Sequence, residues 1–329
     1  MLGEGMRNAL RPDFFPPFKP RLPWIGGDLQ TLRNSLMGVK PTLEPNERII
    51  APIDAGGLNI AVNHPQAGRG EKALILVHGL GGNETSTYMV SSARYFLALG
   101  YRVFRVNCRG VGPSADSSEP PYSAGLTGDL RAVVRRVSQY CPDLPLLLMG
   151  YSLGGQLSLR MLGESDVPAA LRSCVTVSAP LNLAHAQHKL ERLRNTVYVK
   201  YVVNNMRKDM AALQHPRIKV SPNKLNSIRD FDEHIIAPAF GFKGADDYYA
   251  RVSCFDLLLH IDRPTLAIHA EDDPWIPAQD YRDAQWPTQV PAGALLVGSG
   301  GHVGFHSRGV DQPWYDSAAQ LFFEKKPDF

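Results

Sequence analysis

Within residues 144–162 the chain passes from one pattern of apolar positions to another. Leu146, Leu147, Leu148 and Met149 form an unbroken apolar run of strand length, as a strand covered on both faces by helices requires. Gly150, Tyr151, Ser152, Leu153 and Gly154 interrupt it, and Leu157, Leu159, Met161 and Leu162 continue into a helix. Similar pieces recur along the chain. Residues 73–77 (ALILV), 101–106 (YRVFRV), 174–177, 265–268 and 294–297 (ALLV) read as strands. Residues 86–99, stopped by Gly100, read as a helix, as do residues 127–140, with Thr127 or Asp129 near the start and Leu130, Val133, Val134 and Val137 on one face. Residues 47–64 alternate instead around Ala55-Gly56-Gly57, which predicts an antiparallel hairpin at a sheet edge. Strands alternating with helices predict an α/β fold with a mostly parallel, doubly wound sheet and helices on both faces. Ligands of such sheets sit at the carboxyl ends of the strands.

Two stretches break the alternation. Residues 1–40 are dense in proline and aromatics, with Phe14, Phe15, Phe18 and Trp24 among or beside the five prolines from Pro12 to Pro23. Proline at this density forbids a helix, so the segment reads as an extended arm that packs on the body of the protein and closes with a helical piece at residues 29–36. Its two P-x-x-P matches would suit an SH3-type partner, and its aromatics beside Lys19 and Arg21 a peripheral lipid contact; both are the lesser readings. Residues 180–264 form a long interruption, opening with a charged amphipathic helix from 183 to about 213. The expected division is an arm at 1–45, a core at 46–183, a helical cap insertion at 184–260 and a second part of the core at 261–329.

At 329 residues and 44% hydrophobic, the chain has material for one large core with an insertion. Lys plus Arg number 35 against 32 Asp plus Glu, and a net charge of +3 gives no argument for nucleic acid or an acidic membrane surface. Cys108, Cys141, Cys174 and Cys254 are widely spaced with no C-x-x-C, as expected of small buried hydrophobes in a reducing compartment. No run approaches the roughly 20 apolar residues of a membrane span, and no signal-peptide core follows the early charges, so the expected setting is cytoplasmic.

The chemistry centres on Gly-Tyr-Ser-Leu-Gly at 150–154. Placed between a strand and a helix, it reads as a nucleophile elbow, in which small residues two before and two after Ser152 allow the sharp reversal. Ser152 Oγ then stands at the head of a helix, where the N–H of Leu153 meets an oxygen that becomes negative under attack. His78-Gly79-Leu80-Gly81-Gly82, at the end of another strand, brings further N–H groups close; His78 reads as a structural histidine under a loop whose Leu80 N–H is the second donor.

A serine needs a base, and the base an orienting carboxylate. In the nucleophile-elbow arrangement these follow in the order Ser, acid, His, each at the end of a later strand. The turn His269-Ala270-Glu271-Asp272-Asp273-Pro274-Trp275-Ile276-Pro277 offers Asp273 as the acid, favoured by its D-P-x-x-P spacing over Asp272 and then Glu271. Asp280 fits better as a cap on a helix beginning near Ile276. After the last strand, His302 among glycines is the base, with His306 the fallback. His185 and His188 stand three apart without a third ligand, which suits a solvated helix face better than a metal pair. The sequence calls for no metal, no nucleotide and no other cofactor.

HGLGG at His78, GYSLGG at Gly150, HAEDDPWIP at His269, GGHVGF at Gly300, LQTL at Leu29 and the FDEH, APAFGF and DDYY block from Phe231 together resemble the YheT-like branch of the α/β-hydrolases, which also includes eukaryotic ABHD-type lipid esterases. The resemblance runs from about Asp28 nearly to the C-terminus. It implies an α/β-hydrolase fold and a carboxylesterase acting on small-molecule esters of short or medium acyl chains, or a lipase-like activity. By the same likeness Ser152 is nucleophile, Asp273 acid and His302 base, with Leu80 and Leu153 N–H groups as oxyanion hole. Phe240, Phe242, Tyr248 and Tyr249 are candidates to line an acyl pocket or to pack cap against core. Gln156 stands where the family pattern has Asn, and Asp28 where it has His. The reading expects no membrane anchor and carries over no membrane substrate. An acyltransferase or a peptidase on the same three residues, and a binding or scaffold protein on the same fold, are the rival readings.

Overall fold

The structure, a computed structural model, describes residues 12–54, 56–66, 70–116, 122–210 and 218–325. Its strands are β1 (Glu47–Ile53), β2 (Gly56–Asn63), β3 (Ala73–Val77), β4 (Arg102–Val106), β5 (Leu146–Tyr151), β6 (Leu171–Val177), β7 (Thr265–Ala270) and β8 (Ala292–Val297). They form one sheet in the order β1-β2-β4-β3-β5-β6-β7-β8. The β1–β2 and β2–β4 pairs are antiparallel and the rest parallel. The hairpin expected at 47–64 is present with β1 outermost; Ala55 of its turn, residues 1–11 of the arm and residues 211–213 of the long cap helix lie outside the described residues.

Every residue of β3, β5 and β7 is buried, which is why these strands read as unbroken apolar runs. The helices of the body are α1 (Gly27–Leu36), α2 (Thr87–Ala98), α3 (Thr127–Tyr140) and α4 (Leu153–Gly163). Successive strand residues serve opposite faces. Ile75 and Val77 of β3 join Val133 and Val134 of α3 and Leu157 and Met161 of α4 in one cluster. Leu74 and Leu76 join Met89 and Phe96 of α2 in the other, with Tyr315 and Phe322. Those last two belong to a terminal helix, Trp314–Glu324, for which the sequence pattern gave no assignment.

The arm packs on the body, as expected. Phe15 is buried in the second cluster, Phe18 meets Phe305 and Trp314 edge-on, and Trp314 Nε1 donates to the Pro16 carbonyl. Backbone hydrogen bonds from Arg21 to His306 and from Arg308 to Lys19 fasten the arm beside residues 306–308.

Between β6 and β7 lie α5 (Leu183–Leu190), α6 (Thr196–Asp209) and a helix in three end-to-end pieces, Ile228–Phe231, a π-helical turn Asp232–Ile236, and Ala237–Phe240; α7 (Ala245–Val252) completes the set. The single helix expected from 183 to about 213 is therefore broken, with a tight turn at Leu193–Asn195. Asn195 causes the break: its buried amide donates to the carbonyls of Lys189 and Pro274, which pulls the chain toward the β7 turn. The helix expected near Ile276 starts later, as α8 (Ala278–Asp283), because the N–H groups of Trp275 and Ile276 bond the Asp273 carboxylate instead. Among the described residues no helix is long and apolar enough to cross a membrane.

Candidate active site

β5 delivers its residues to a reversal that only small side chains permit. A Cβ on Gly150 would fall 2.6 Å from the Gly154 carbonyl oxygen, and one on Gly154 only 2.4 Å from that of His78. Ser152 sits between them at φ 50° and ψ −121°, a strained conformation for a non-glycine residue, pinned by its N–H to the Val177 carbonyl at 2.8 Å. Its side chain then faces the ends of β7 and β8.

His302 Nε2 lies 2.9 Å from Ser152 Oγ, and His302 Nδ1 lies 2.9 Å from Asp273 Oδ2. An ionised carboxylate only accepts, so Nδ1 carries the proton and Nε2 of the neutral ring is left to accept from the serine. Asp273 is buried, and its other oxygen takes the N–H groups of Trp275 at 2.7 Å and Ile276 at 3.0 Å. Burial pushes this carboxyl up, but the His302 and His269 rings and the Ile276 N–H outweigh it and hold it below the usual carboxylate range. Trp275 stacks on the His302 ring with centroids 4.2 Å apart.

The rival residues do other work. Asp272 accepts the N–H groups of Gly300 and Gly301, each at 2.9 Å, and the Ser299 hydroxyl, so it holds the loop that carries His302. Glu271 pairs with Arg282. His306 is buried, its backbone held by Gln30, and burial together with Arg33 and Arg21 holds its ring down to about 3. His78 Nδ1 donates to the Gly79 carbonyl at 2.8 Å while Nε2 accepts the Cys108 N–H at 3.1 Å. Burial keeps it neutral, with a pKa of about 4, and both ring nitrogens are engaged by backbone groups.

That loop lies against the serine: a Cβ on Gly79 would fall 2.9 Å from Ser152 Cβ. The Gly79 N–H is taken by the Tyr88 hydroxyl at 3.0 Å, and Leu80 lines the same cavity as Ser152 and Leu153. Leu153 opens α4, where the first N–H groups have no intrahelical acceptor and carry the positive end of the helix dipole.

The cavity measures about 100 Å³ and is mainly apolar, with Leu80, Leu153, Leu183, Val202, Met206 and Ile236 in its wall. Of the four aromatics proposed for it, Tyr248 and Tyr249 line it. Phe240 and Phe242 instead pack in the insertion's own cluster, Phe242 beside Tyr248 and under the Arg251 guanidinium. Asp280 is no helix cap. It lies inside α8 and receives His185 Nδ1 at 2.7 Å, a contact made from 95 residues away. Among the described residues no cluster of ligating side chains could hold a metal ion.

Several supporting residues carried no local sequence signal. Lys189 Nζ donates to the carbonyls of Asp273 and Ile276. Thr31, within the LQTL stretch, accepts the backbone N–H of His302 at 2.8 Å. Asp28, at the departure from the family pattern, pairs with Arg194 and accepts from Tyr198, so it ties α1 to α6. Gln156, at the other, donates to the Val252 carbonyl at the end of α7.

The sequence profile described as alpha/beta hydrolase fold matches residues 72–308, from just before β3 through the His302 loop. The chain belongs to the alpha/beta hydrolase fold family. Within it, the phospholipase ABHD3 of Mus musculus is 29% identical over 290 residues, covering 84% of this chain and 70% of that protein. The putative esterase YheT of Escherichia coli is 29% identical over 250 residues, 74% of this chain and 73% of its own. These likenesses make it an alpha/beta hydrolase of the YheT and ABHD type. The solved structure of the Pyrococcus furiosus esterase Pf2001 matches with a TM-score of 0.57 at 14% identity, over 87% of this chain and 96% of that one, a likeness of fold.

Proposed function

We propose that this alpha/beta hydrolase cleaves carboxylic esters of short to medium acyl chains through an acyl-enzyme on Ser152. The observation that carries the reading is the unbroken hydrogen-bonded line from Ser152 through His302 to Asp273. As Oγ attacks the ester carbonyl, His302 Nε2 takes its proton, and Asp273 stabilises the imidazolium and keeps the ring in the productive tautomer. The negative carbonyl oxygen rests on the N–H groups of Leu80 and Leu153. Collapse returns the proton from His302 to the departing alkoxide, and a water activated by the same ring then releases the acid. The names of the relatives, an esterase and a phospholipase, agree with an ester as substrate. The small apolar cavity supports an acyl group of modest length.

On this reading residues 184–260 act as a cap over the site, and residues 1–45 as an arm bracing the loop of the base. The test is labelling of the purified protein with a fluorophosphonate, wild type beside Ser152→Ala, followed by p-nitrophenyl esters of increasing chain length. Labelling lost in the variant, with turnover peaking at short or medium chains, is the expected result; a folded wild type that neither labels nor turns over any ester removes the proposal.

A further inference from the structure

One part of the wall over Ser152 is at odds with the rest. Asp232 lines the cavity among aliphatic side chains, 9% exposed, and Tyr249, which also lines it, donates its hydroxyl to Asp232 Oδ2 at 2.6 Å. Asp232 Oδ1 makes no hydrogen bond among the described residues, yet it is not one of the sealed polar atoms, so on a residue that lines the cavity it keeps some exposure and is left to accept. Asp232 also begins the π-helical turn that interrupts its helix, a local distortion that re-aims side chains and is frequent at functional sites.

A plain alkyl chain lodged here would strip water from that oxygen and give nothing back, which disfavours it. A ligand hydroxyl would restore the bond. Burial, with Glu191 adding to it and with the Tyr249 hydrogen bond and Arg229 opposing, brings the carboxyl to about 7, so both its forms are present near neutrality. A hydroxyl donates to the carboxylate and accepts from the acid, whereas an ammonium matches only the first form and a ketone only the second.

We propose that Asp232, oriented by Tyr249, is a specificity-determining group that receives a hydroxyl on the substrate chain lodged beneath the inserted helices, so that the preferred substrates are hydroxylated esters. This rests on the ester-hydrolase reading above. The hydroxyl belongs to whichever half of the ester, acyl or alcohol, fills the cavity.

The test measures acid release by the full chain in two arms. One sets methyl octanoate beside its monohydroxylated isomers, and the other hexyl butyrate beside the monobutyrates of hexanediols. In one arm the wild type should favour a hydroxylated ester by about tenfold in kcat/KM, equivalent to about 1.4 kcal/mol. Asp232→Asn, which still donates and accepts, should keep the preference. Asp232→Leu should lose it and gain on the alkyl ester. Tyr249→Phe, which frees the carboxyl without adding bulk, should weaken the preference and serves as the second variant if Asp232→Leu does not fold. No preference in either arm, or a preference that survives in Asp232→Leu, overturns the assignment while leaving ester hydrolysis standing. If the wild type releases acid from no ester and takes no fluorophosphonate, the hydrolase reading falls and this assignment with it.

Discussion

The backbone N–H of His302 donates to Thr31 Oγ1 at 2.8 Å across 271 residues of chain. The Thr31 hydroxyl in turn donates to the Gly27 carbonyl at 2.7 Å, and a Cβ on Gly301 would fall 2.3 Å from that same oxygen. One residue along, Gln30 accepts the His306 N–H and donates to the His306 carbonyl. The helix that ends the arm thus holds the loop of His302 at both ends. Thr31→Val removes the acceptor and should lower kcat by about tenfold, in line with a lost buried hydrogen bond of about 1–3 kcal/mol. Thr31→Ser should restore it. Steady-state kinetics on the three proteins, with thermal melts to normalise for folding, would expose a mere packing role if Val and Ser behave alike.

Removal of any of the three aligned side chains should be severe. Ser152→Ala, His302→Ala and Asp273→Asn should each reduce kcat by about 10⁴-fold or more with native circular dichroism retained. His306→Ala should keep activity per folded molecule. Loss of turnover in His306→Ala with retention in His302→Ala would reassign the base.

Asp272 and Asp273, adjacent in sequence, separate by mechanism. Asp272→Ala loses three hydrogen bonds to the glycine loop. It should therefore lower the melting temperature and the labelling rate together, whereas Asp273→Asn should spare stability more than activity. Melting curves beside labelling time courses distinguish the two patterns.

Tyr88 holds the glycine loop, which carries the proposed donor Leu80, through the Gly79 N–H. Tyr88→Phe should reduce kcat by about tenfold with KM little changed, a smaller loss than that of a direct donor. An effect on KM alone would argue against this placement.

The pH dependence has a sign that can be worked out for His306. Its ring is held down to about 3 against an unfolded value of about 6.5, so between those values the unfolded chain binds the extra proton and the native state loses stability as pH falls. Asp232 and Asp316, pushed up by burial, act with the opposite sign, so the whole-protein curve mixes both. His306→Gln isolates the histidine: relative to wild type, its stability should improve by up to about 1.4 kcal/mol per pH unit as pH drops below 6.5. Urea unfolding at several pH values measures this directly, and parallel curves would contradict it.

What the sequence made legible follows from locality. β3, β5 and β7 are buried on both faces and announce themselves as apolar runs, and the steric demand at Gly150 and Gly154 is written into five consecutive residues. The order of polar turns after β5, β7 and β8 pointed to Ser152, Asp273 and His302, which lie together. The breaks in the insertion were not legible, because Asn195 turns the chain by bonding Pro274, a partner supplied by another strand's turn. Asp280 was misread for the same reason, since its partner His185 arrives from the far side of the insertion. Asp232, inside the FDEH motif, carried no signal of its own in the sequence; burial beside Tyr249 distinguishes it.

The grip of Lys189 on the Asp273 and Ile276 carbonyls makes α5 more than a roof. A hinge that swung α5 outward as a rigid body would drag the acid turn with it or tear two hydrogen bonds from a half-buried ammonium. The seat of α5 and the position from which the Asp273 carboxylate meets His302 are therefore set by one side chain, and the two move together or not at all.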